Sequence, residues 1–290
     1  MRAIILAAGR GMRLQQSEDQ QLPKCLLQFD GRTLLERHLL LLRKAGVEEV
    51  VLALGFRHDL VEAELDRLRW IPRPGIVLNP GFELGSVLTV HTVARAMTRG
   101  GDVLLMDADV LYHEGIMTAL VAGQKPVNRI LIDREFEAGD EPVKVCVRDG
   151  VPVELRKQVA AGLQYDTIGE SVGFFRFDAA GARRLATLVA GYIESGRASM
   201  PHEEAVRDLL LSKAPQATFD NRRSDDGDEQ RKRIAKGDQL ELLLIAAERD
   251  LINEKYRQGA LKAETRRRLE HELDLRDAQL ASVRNEDSWK

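Results

Sequence analysis

Down to about residue 125 the chain alternates short apolar runs with amphipathic stretches, and this alternation restricts the fold more than any other feature. "AIILAA", "EEVVLALGF", "GIVLN" and "DVLLMDADVLY" read as strands, the first apolar on both faces as buried parallel strands are. "TLLERHLLLLRKAG", "DLVEAELDRL" and "SVLTVHTVARAM" lie between them with helical spacing. Thr33 with Glu36 makes a capping box, Gly46 supplies the stop, Asp59 begins the second helix, and Ser86 is the expected N-cap of the third. Strand–helix alternation at this pitch implies right-handed crossovers and an α/β fold, a Rossmann-like, mainly parallel sheet flanked by helices. On such sheets ligands sit beyond the carboxyl ends of the strands.

The pattern changes after "GQKP". "RILIDRE", "VKVCVRDGVPVELRK" and "ESVGFFRF" read as strands, with Asp149-Gly150 as a hairpin turn, and helices follow at "AAGARRLATLVAGYIES" and "HEEAVRDLLLS". This half is expected to extend the sheet in mixed orientation and to cover the mouth of the first half. A ligand site would lie between the two.

The first strand runs into "LAAGRGMRL". Ala7, Ala8 and Gly9 let a ligand approach the backbone, and Arg10, Gly11, Met12 and Arg13 gather N–H donors and two guanidinium groups. That combination suits a polyphosphate, although a glycine turn with solvated arginines has the same composition. Neither the dinucleotide fingerprint nor the Walker spacing is present. At the fourth strand, Asp107 and Asp109 are two apart, so their side chains are expected on one face, where they could share a magnesium ion. The alternative is a polar exit from a strand. Lys144 in "DEPVKVCV" is either a surface lysine or a cation for a second phosphate. Glu170 heads a strand, where it is either a surface residue or a ligand for a hydroxyl or a cationic head group.

Together "LAAGRGMRL", "LPKCLL", "GDVLLMDADVLY", "DEPVKVCV", "ESVGFFRF" and "HEEAVRDLLLS" resemble the phosphocholine cytidylyltransferase-like branch of the sugar-nucleotidyltransferase superfamily. The resemblance runs from Met1 to about Ala217. It implies a Mg²⁺-dependent transfer of a nucleotidyl group, CMP from CTP in that branch, to a phosphoalcohol such as phosphocholine with release of pyrophosphate. It implies catalytic cations at Lys24, Arg13 and Lys144, and a magnesium ligand at Asp109. Nucleotide contacts would come from Leu6, Ala7, Ala8, Gly9, Arg10, Gly11, Asn79, Ser86 and Asp107, and acceptor contacts from Glu170, His202 and Glu203. The alternatives are a nucleoside-diphosphate-sugar pyrophosphorylase, or a nucleotide-binding protein without catalysis whose tail binds a partner.

Two positions depart from the family pattern. The position of His202 is usually aromatic there. The strand "W-x-E-I-D-x-P-x-D", which carries the other metal ligand, is replaced by "TFDNRRSDDGDEQRKR", with Asp220 the nearest substitute. That run reads as a charged linker over 218–236 between a transferase domain, 1–217, and a helical hairpin, 237–290. Leu240, Leu243, Leu244, Ala247 and Leu251 form an apolar stripe suited to self-association or to a protein partner, or to packing on the chain's own domain. "ALKAETRRRLEHELDL" resembles the cytoplasmic tails of bacterial sodium/proton antiporters, though no transport segment accompanies it.

A net charge of −3 offers no case for nucleic-acid binding. Cys25 and Cys146 lack metal-ligand spacing and sit among apolar residues, as reduced thiols in cytoplasm do. No run of about 18 apolar residues exists, so no membrane span is expected.

Overall fold

The computed structural model describes residues 1–10, 22–122, 128–134, 136, 139–140, 142–212 and 257–258. The linker and hairpin expected from residue 218 onward therefore lie outside the described residues, apart from Arg257 and Gln258, as do Gly11, Arg13 and Asp220. Residues cluster into two units, Met1–Gln28 with Arg32–Asn221, and Phe29–Gly31 with Arg222–Lys290. No helix among the described residues is long and apolar enough to cross a membrane.

Strand β1 (Arg2–Ala7) leads to a 3₁₀ turn (Lys24–Leu26), the short pair β2 (Gln28–Phe29) and β3 (Arg32–Thr33), and helix α1 (Leu34–Lys44). There follow β4 (Glu49–Leu54), α2 (His58–Leu68), β5 (Gly75–Leu78), α3 (Ser86–Thr92), α4 (Ala94–Met97), β6 (Val103–Asp107) and α5 (Glu114–Val121). The second half comprises β7 (Arg129–Asp133), β8 (Lys144–Arg148), β9 (Val151–Arg156), β10 (Thr167–Phe177), α6 (Ala179–Glu194) and α7 (His202–Leu211).

Eight strands form one mixed sheet in the order β5-β4-β1-β6-β10-β8-β9, with β7 also on β10. β5, β4, β1 and β6 are parallel, and β10 joins β6 antiparallel. Alternate residues feed two cores. Ala3, Ile5, Leu52, Leu54, Leu104 and Met106 pack with α1, α2 and α5; Ile4, Val51, Ala53, Val103 and Leu105 pack with α3, α4, α6 and α7. Burying both faces explains why these strands are apolar throughout. The chain leaves β1 for β4 and β5, then returns to β6 on the other side of β1. The β1/β6 boundary is thus the point where the strand order reverses, and a crevice opens there.

Helix ends follow their chemistry. Thr33 Oγ1 accepts from Glu36 N at 3.1 Å, and Gly46, at φ +77°, closes α1 with Gly46 N on Arg43 O and Val47 N on Leu42 O. Asp149 and Gly150 both adopt positive φ, as a two-residue hairpin between β8 and β9 requires. Two expectations need correction. Asp59 lies in the first turn of α2, whose N-cap is Arg57. Ser86 is the first residue of α3 behind Gly85, and its hydroxyl accepts from His202 N instead of capping its own helix.

Candidate active site

A cavity of about 320 Å³ lies at the carboxyl ends of β1 and β6. Leu6, Ala7, Ala8 and Gly9 form one wall, Lys24 and Cys25 a second, Asp107, Ala108 and Asp109 a third, and Ser86, Thr89, His202 and Glu203 the fourth. Each wall has a local cause. The β1 loop is held by Phe56 N on Ala8 O at 3.0 Å. Gly55 makes this approach possible, since a Cβ there would stand 2.8 Å from Ala8 O and 2.6 Å from the Phe82 side chain. Lys24 opens the 3₁₀ turn, which Cys25 and Leu26 anchor by burial, leaving the ammonium half-buried and 2.6 Å from Asp109 Oδ2.

β6 ends at Asp107, and Ala108-Asp109 form a turn, so strand alternation does not set the direction of Asp109 as the two-residue spacing had suggested. The Asp107 carboxylate occupies the space over Gly173 of β10, where a Cβ would lie 2.2 Å from Oδ2. Gly173, at φ +75°, sits in the irregular stretch of β10 between Ser171 and Phe175. Loss of hydration pushes the Asp107 carboxyl up to about 7; His202 and Lys24 oppose the shift, and Glu203 and Asp109 reinforce it.

α7 reaches the cavity because its first residue is clamped to α3. His202 N donates to Ser86 Oγ at 2.8 Å, and Val87 N donates to Met200 O at 3.1 Å. His202 is buried with Nδ1 3.1 Å from Ser86 Oγ, while its Nε2 and Glu203 Oε2 lack a hydrogen-bond partner among the described residues. Asp107, Asp109 and Glu203 thus bring carboxyl oxygens to one side of the cavity, where Glu203 Oε2 stands 3.2 Å from His202 Nδ1 without forming a hydrogen bond. Among the described residues no group of three or more His, Cys, Asp or Glu side chains is placed to hold a metal ion, so any metal here would rest on one or two carboxylates. The open carboxylate set fits magnesium, which takes one or two carboxylates and completes its shell with water and phosphate oxygens.

Other expected residues lie elsewhere. Asn79 is buried beside the cavity, where its side chain donates to Thr89 Oγ1 at 3.0 Å and accepts from Gly81 N at 3.0 Å, holding the loop before α3. Arg10 pairs with Glu83 at 2.7 Å and approaches the Phe56 and Phe82 rings. Lys144 and Glu170 are cross-strand partners on β8 and β10 and do not line the cavity. Lys144 Nζ donates to Lys157 O at 2.6 Å and to Gly139 O. Burial and the neighbouring Asp133 raise the Glu170 carboxyl, against the lowering effect of Lys144.

Cys25, Phe82, Gly85, Thr89 and Ala108 also line the cavity without having been singled out. The loop from Asn79 to Ser86 carried some signal in its turn residues. A Cβ on Gly85 would meet the Ser199 carbonyl carbon at 2.7 Å, a contact that only the folded chain reveals.

Behind the Asp109 turn, His38 of α1 is buried with Nε2 3.2 Å from Ala108 O and Nδ1 3.4 Å from the Tyr112 hydroxyl. Burial pushes the His38 imidazole down to about 4, against the opposing hydrogen bond to Ala108 and the charge of Asp109, so the ring is neutral at pH 7.

The chain resembles proteins that transfer nucleotides. It is 23% identical over 194 residues to a CTP:phosphoglutamine cytidylyltransferase of Campylobacter jejuni, covering 61% of this chain and 73% of that protein. It is 30% identical over 183 residues to a bifunctional IPC transferase and DIPP synthase of Thermococcus kodakarensis, covering 61% of this chain but 38% of the relative. Among solved structures, the CTP:phosphocholine cytidylyltransferase of Streptococcus pneumoniae aligns with a TM-score of 0.58 at 17% identity, over 80% of this chain and 96% of that one. The inositol-1-phosphate CTP transferase of T. maritima aligns at 0.57 and 21% identity, over 72% and 80%. At these identities the structural likeness concerns the fold. Residues 3–169 match the MobA-like NTP transferase domain, and with more than half its length inside that match the chain belongs to this nucleotidyltransferase family.

Proposed function

We propose that this protein is a Mg²⁺-dependent cytidylyltransferase that moves CMP from CTP to the phosphate of a phosphorylated alcohol and releases pyrophosphate. The observation that carries this reading is the convergence of the bare β1 loop, the Lys24 ammonium and the Asp107–Asp109 turn on one cavity at the strand-order reversal. The two cytidylyltransferases among its relatives support the choice of base, and the choline-phosphate enzyme supports the acceptor class.

An acceptor phosphate oxygen attacks the α-phosphorus of CTP. The new P–O bond forms as the bond to the bridging oxygen breaks, and pyrophosphate leaves with that electron pair. No side chain is covalently modified. The Ala7–Gly9 backbone seats the nucleotide, and Lys24 balances phosphate charge. Asp109, with Asp107 beside it, would hold the magnesium ion, which neutralises triphosphate charge that otherwise repels an anionic nucleophile. Arg13, outside the described residues, is a further candidate cation for the nucleotide phosphates, and Lys144 is one for the acceptor phosphate; Glu170, His202 and Glu203 are acceptor-side candidates. In this reading 1–217 is the catalytic part, 218–236 a linker, and 237–290 a hairpin for self-association or a protein partner.

The test is pyrophosphate release with Mg²⁺ and each of the four nucleoside triphosphates, against phosphocholine, phosphoethanolamine, inositol 1-phosphate and sugar 1-phosphates. Turnover with CTP and a phosphoalcohol is the expected result. Turnover only with another nucleotide and a sugar 1-phosphate would make the protein a sugar-nucleotide pyrophosphorylase. Nucleotide binding with no turnover would make it a binding protein.

A further inference from the structure

We propose that His38, 70 residues from Ala108 in sequence and buried behind it, is a positioning residue that pins the turn carrying Asp109. This rests on the reading of Asp109 as the metal-holding carboxylate. The geometry is a bracket. The chain leaves β6 at Asp107, turns through Ala108 and Asp109, and reaches Tyr112 before α5 begins at Glu114. One imidazole from α1 contacts this segment on both sides of Asp109: Nε2 lies 3.2 Å from Ala108 O and Nδ1 3.4 Å from the Tyr112 hydroxyl.

Hydrogen-bond chemistry sets the direction of this relay. A carbonyl oxygen only accepts, so His38 Nε2 carries the proton and donates to Ala108 O. In the neutral ring Nδ1 is then an acceptor, and the Tyr112 hydroxyl donates to it. All three groups are buried, so water cannot replace either bond cheaply. Phe174 fixes the pair from the sheet side, its ring 4.8 Å from Tyr112 edge-on and 6.1 Å from His38. Asp109 itself is more than one-third exposed and has Lys24 as a partner that bound phosphate would claim. The backbone beneath it, held from behind, therefore sets where its carboxylate stands. Groups that orient a metal-holding carboxylate commonly change metal affinity or activity about 10- to 100-fold when lost.

The experiment compares His38→Leu, His38→Gln and Tyr112→Phe with the natural protein. Mn²⁺ binding in the presence of CTP is read by electron paramagnetic resonance, Mg²⁺ dependence by pyrophosphate release, and folding by Tm. Gln keeps an N–H within reach of Ala108 O; Leu fills the space without one.

His38→Leu is expected to weaken Mn²⁺ binding about 10-fold, Tyr112→Phe by a smaller factor, and His38→Gln to recover most of the loss. Unchanged Mn²⁺ binding in folded His38→Leu and Tyr112→Phe would overturn the proposal. So would an equal loss in His38→Gln and His38→Leu. If His38→Leu does not fold, Tyr112→Phe against the natural protein decides. Failure of the natural protein to release pyrophosphate with any nucleotide would sink the proposed function, while the Mn²⁺ comparison would still judge the bracket.

Discussion

Lys24 Nζ and Asp109 Oδ2 stand 2.6 Å apart across the cavity, a cation and an anion brought together from positions 85 residues apart. The ammonium comes from the 3₁₀ turn after the β1 loop, and the carboxylate from the turn after β6. A phosphate and a magnesium ion arriving together would each take one member of this pair. The contact therefore organises the free site without competing strongly against its ligands, because a partly exposed pair is worth only about 0–1 kcal/mol.

Removing either partner should damage chemistry more than folding. Lys24→Ala and Asp109→Ala are each expected to lower kcat by about 10²- to 10³-fold, in line with loss of one electrostatic contact to the transition state. Tm should move by only a few degrees. Steady-state kinetics alongside thermal unfolding check both parts.

Gly173→Ala should disturb the site from the sheet. The added Cβ would meet Asp107 Oδ2 at 2.2 Å, and φ is +75°. A non-glycine residue in that region costs about 1–3 kcal/mol, and Asp107 must also shift. Denaturant unfolding should record the loss, and metal dependence should change with it.

Asn79→Ala should loosen the loop before α3. It removes the partner of Gly81 N and of buried Thr89 Oγ1, a cost of about 1–3 kcal/mol. Because Thr89 and Phe82 line the cavity, KM for the nucleotide is expected to rise more than kcat falls.

Acid should unfold the protein partly through His38. Its pKa is lowered from 6.5 to about 4 in the fold, so between those values the unfolded chain binds more protons. The neutral ring's contribution is fully present above pH 6.5 and is lost as pH falls through 4. The loss amounts to about 3 kcal/mol at most. Asp107, raised to about 7, gives the opposite slope over the same range, so the His38 contribution is read as the difference in urea unfolding between the natural protein and His38→Gln from pH 7 to 4.

Much of the architecture was legible because its causes are local. Strands buried on both faces must be apolar throughout, Thr33 and Gly46 carry helix ends in their own chemistry, and Asp149-Gly150 specifies a hairpin. The Ala7–Gly9 loop and the Asp107–Asp109 turn could be assigned to one cavity because parallel strands deliver their carboxyl ends to one edge, whereas Lys24 was placed there only by the family resemblance. Long-range packing left other features silent. Nothing near Gly173 signals that Asp107 needs its missing side chain, and nothing near His38 places it under Ala108. Ser86 looked like an N-cap because local sequence does not reveal that α7 claims its hydroxyl. Lys144 and Glu170, expected on the acceptor side, are cross-strand partners on β8 and β10, a register that their local sequence does not state.

The most direct test of the central claim is a ³¹P NMR spectrum of the protein with CTP, Mg²⁺ and a phosphoalcohol. The account predicts paired diphosphate resonances of a new CDP-alcohol appearing in step with pyrophosphate, and neither signal with Asp109→Ala. CTP that stays intact with every phosphoalcohol, or that yields only orthophosphate, would contradict it.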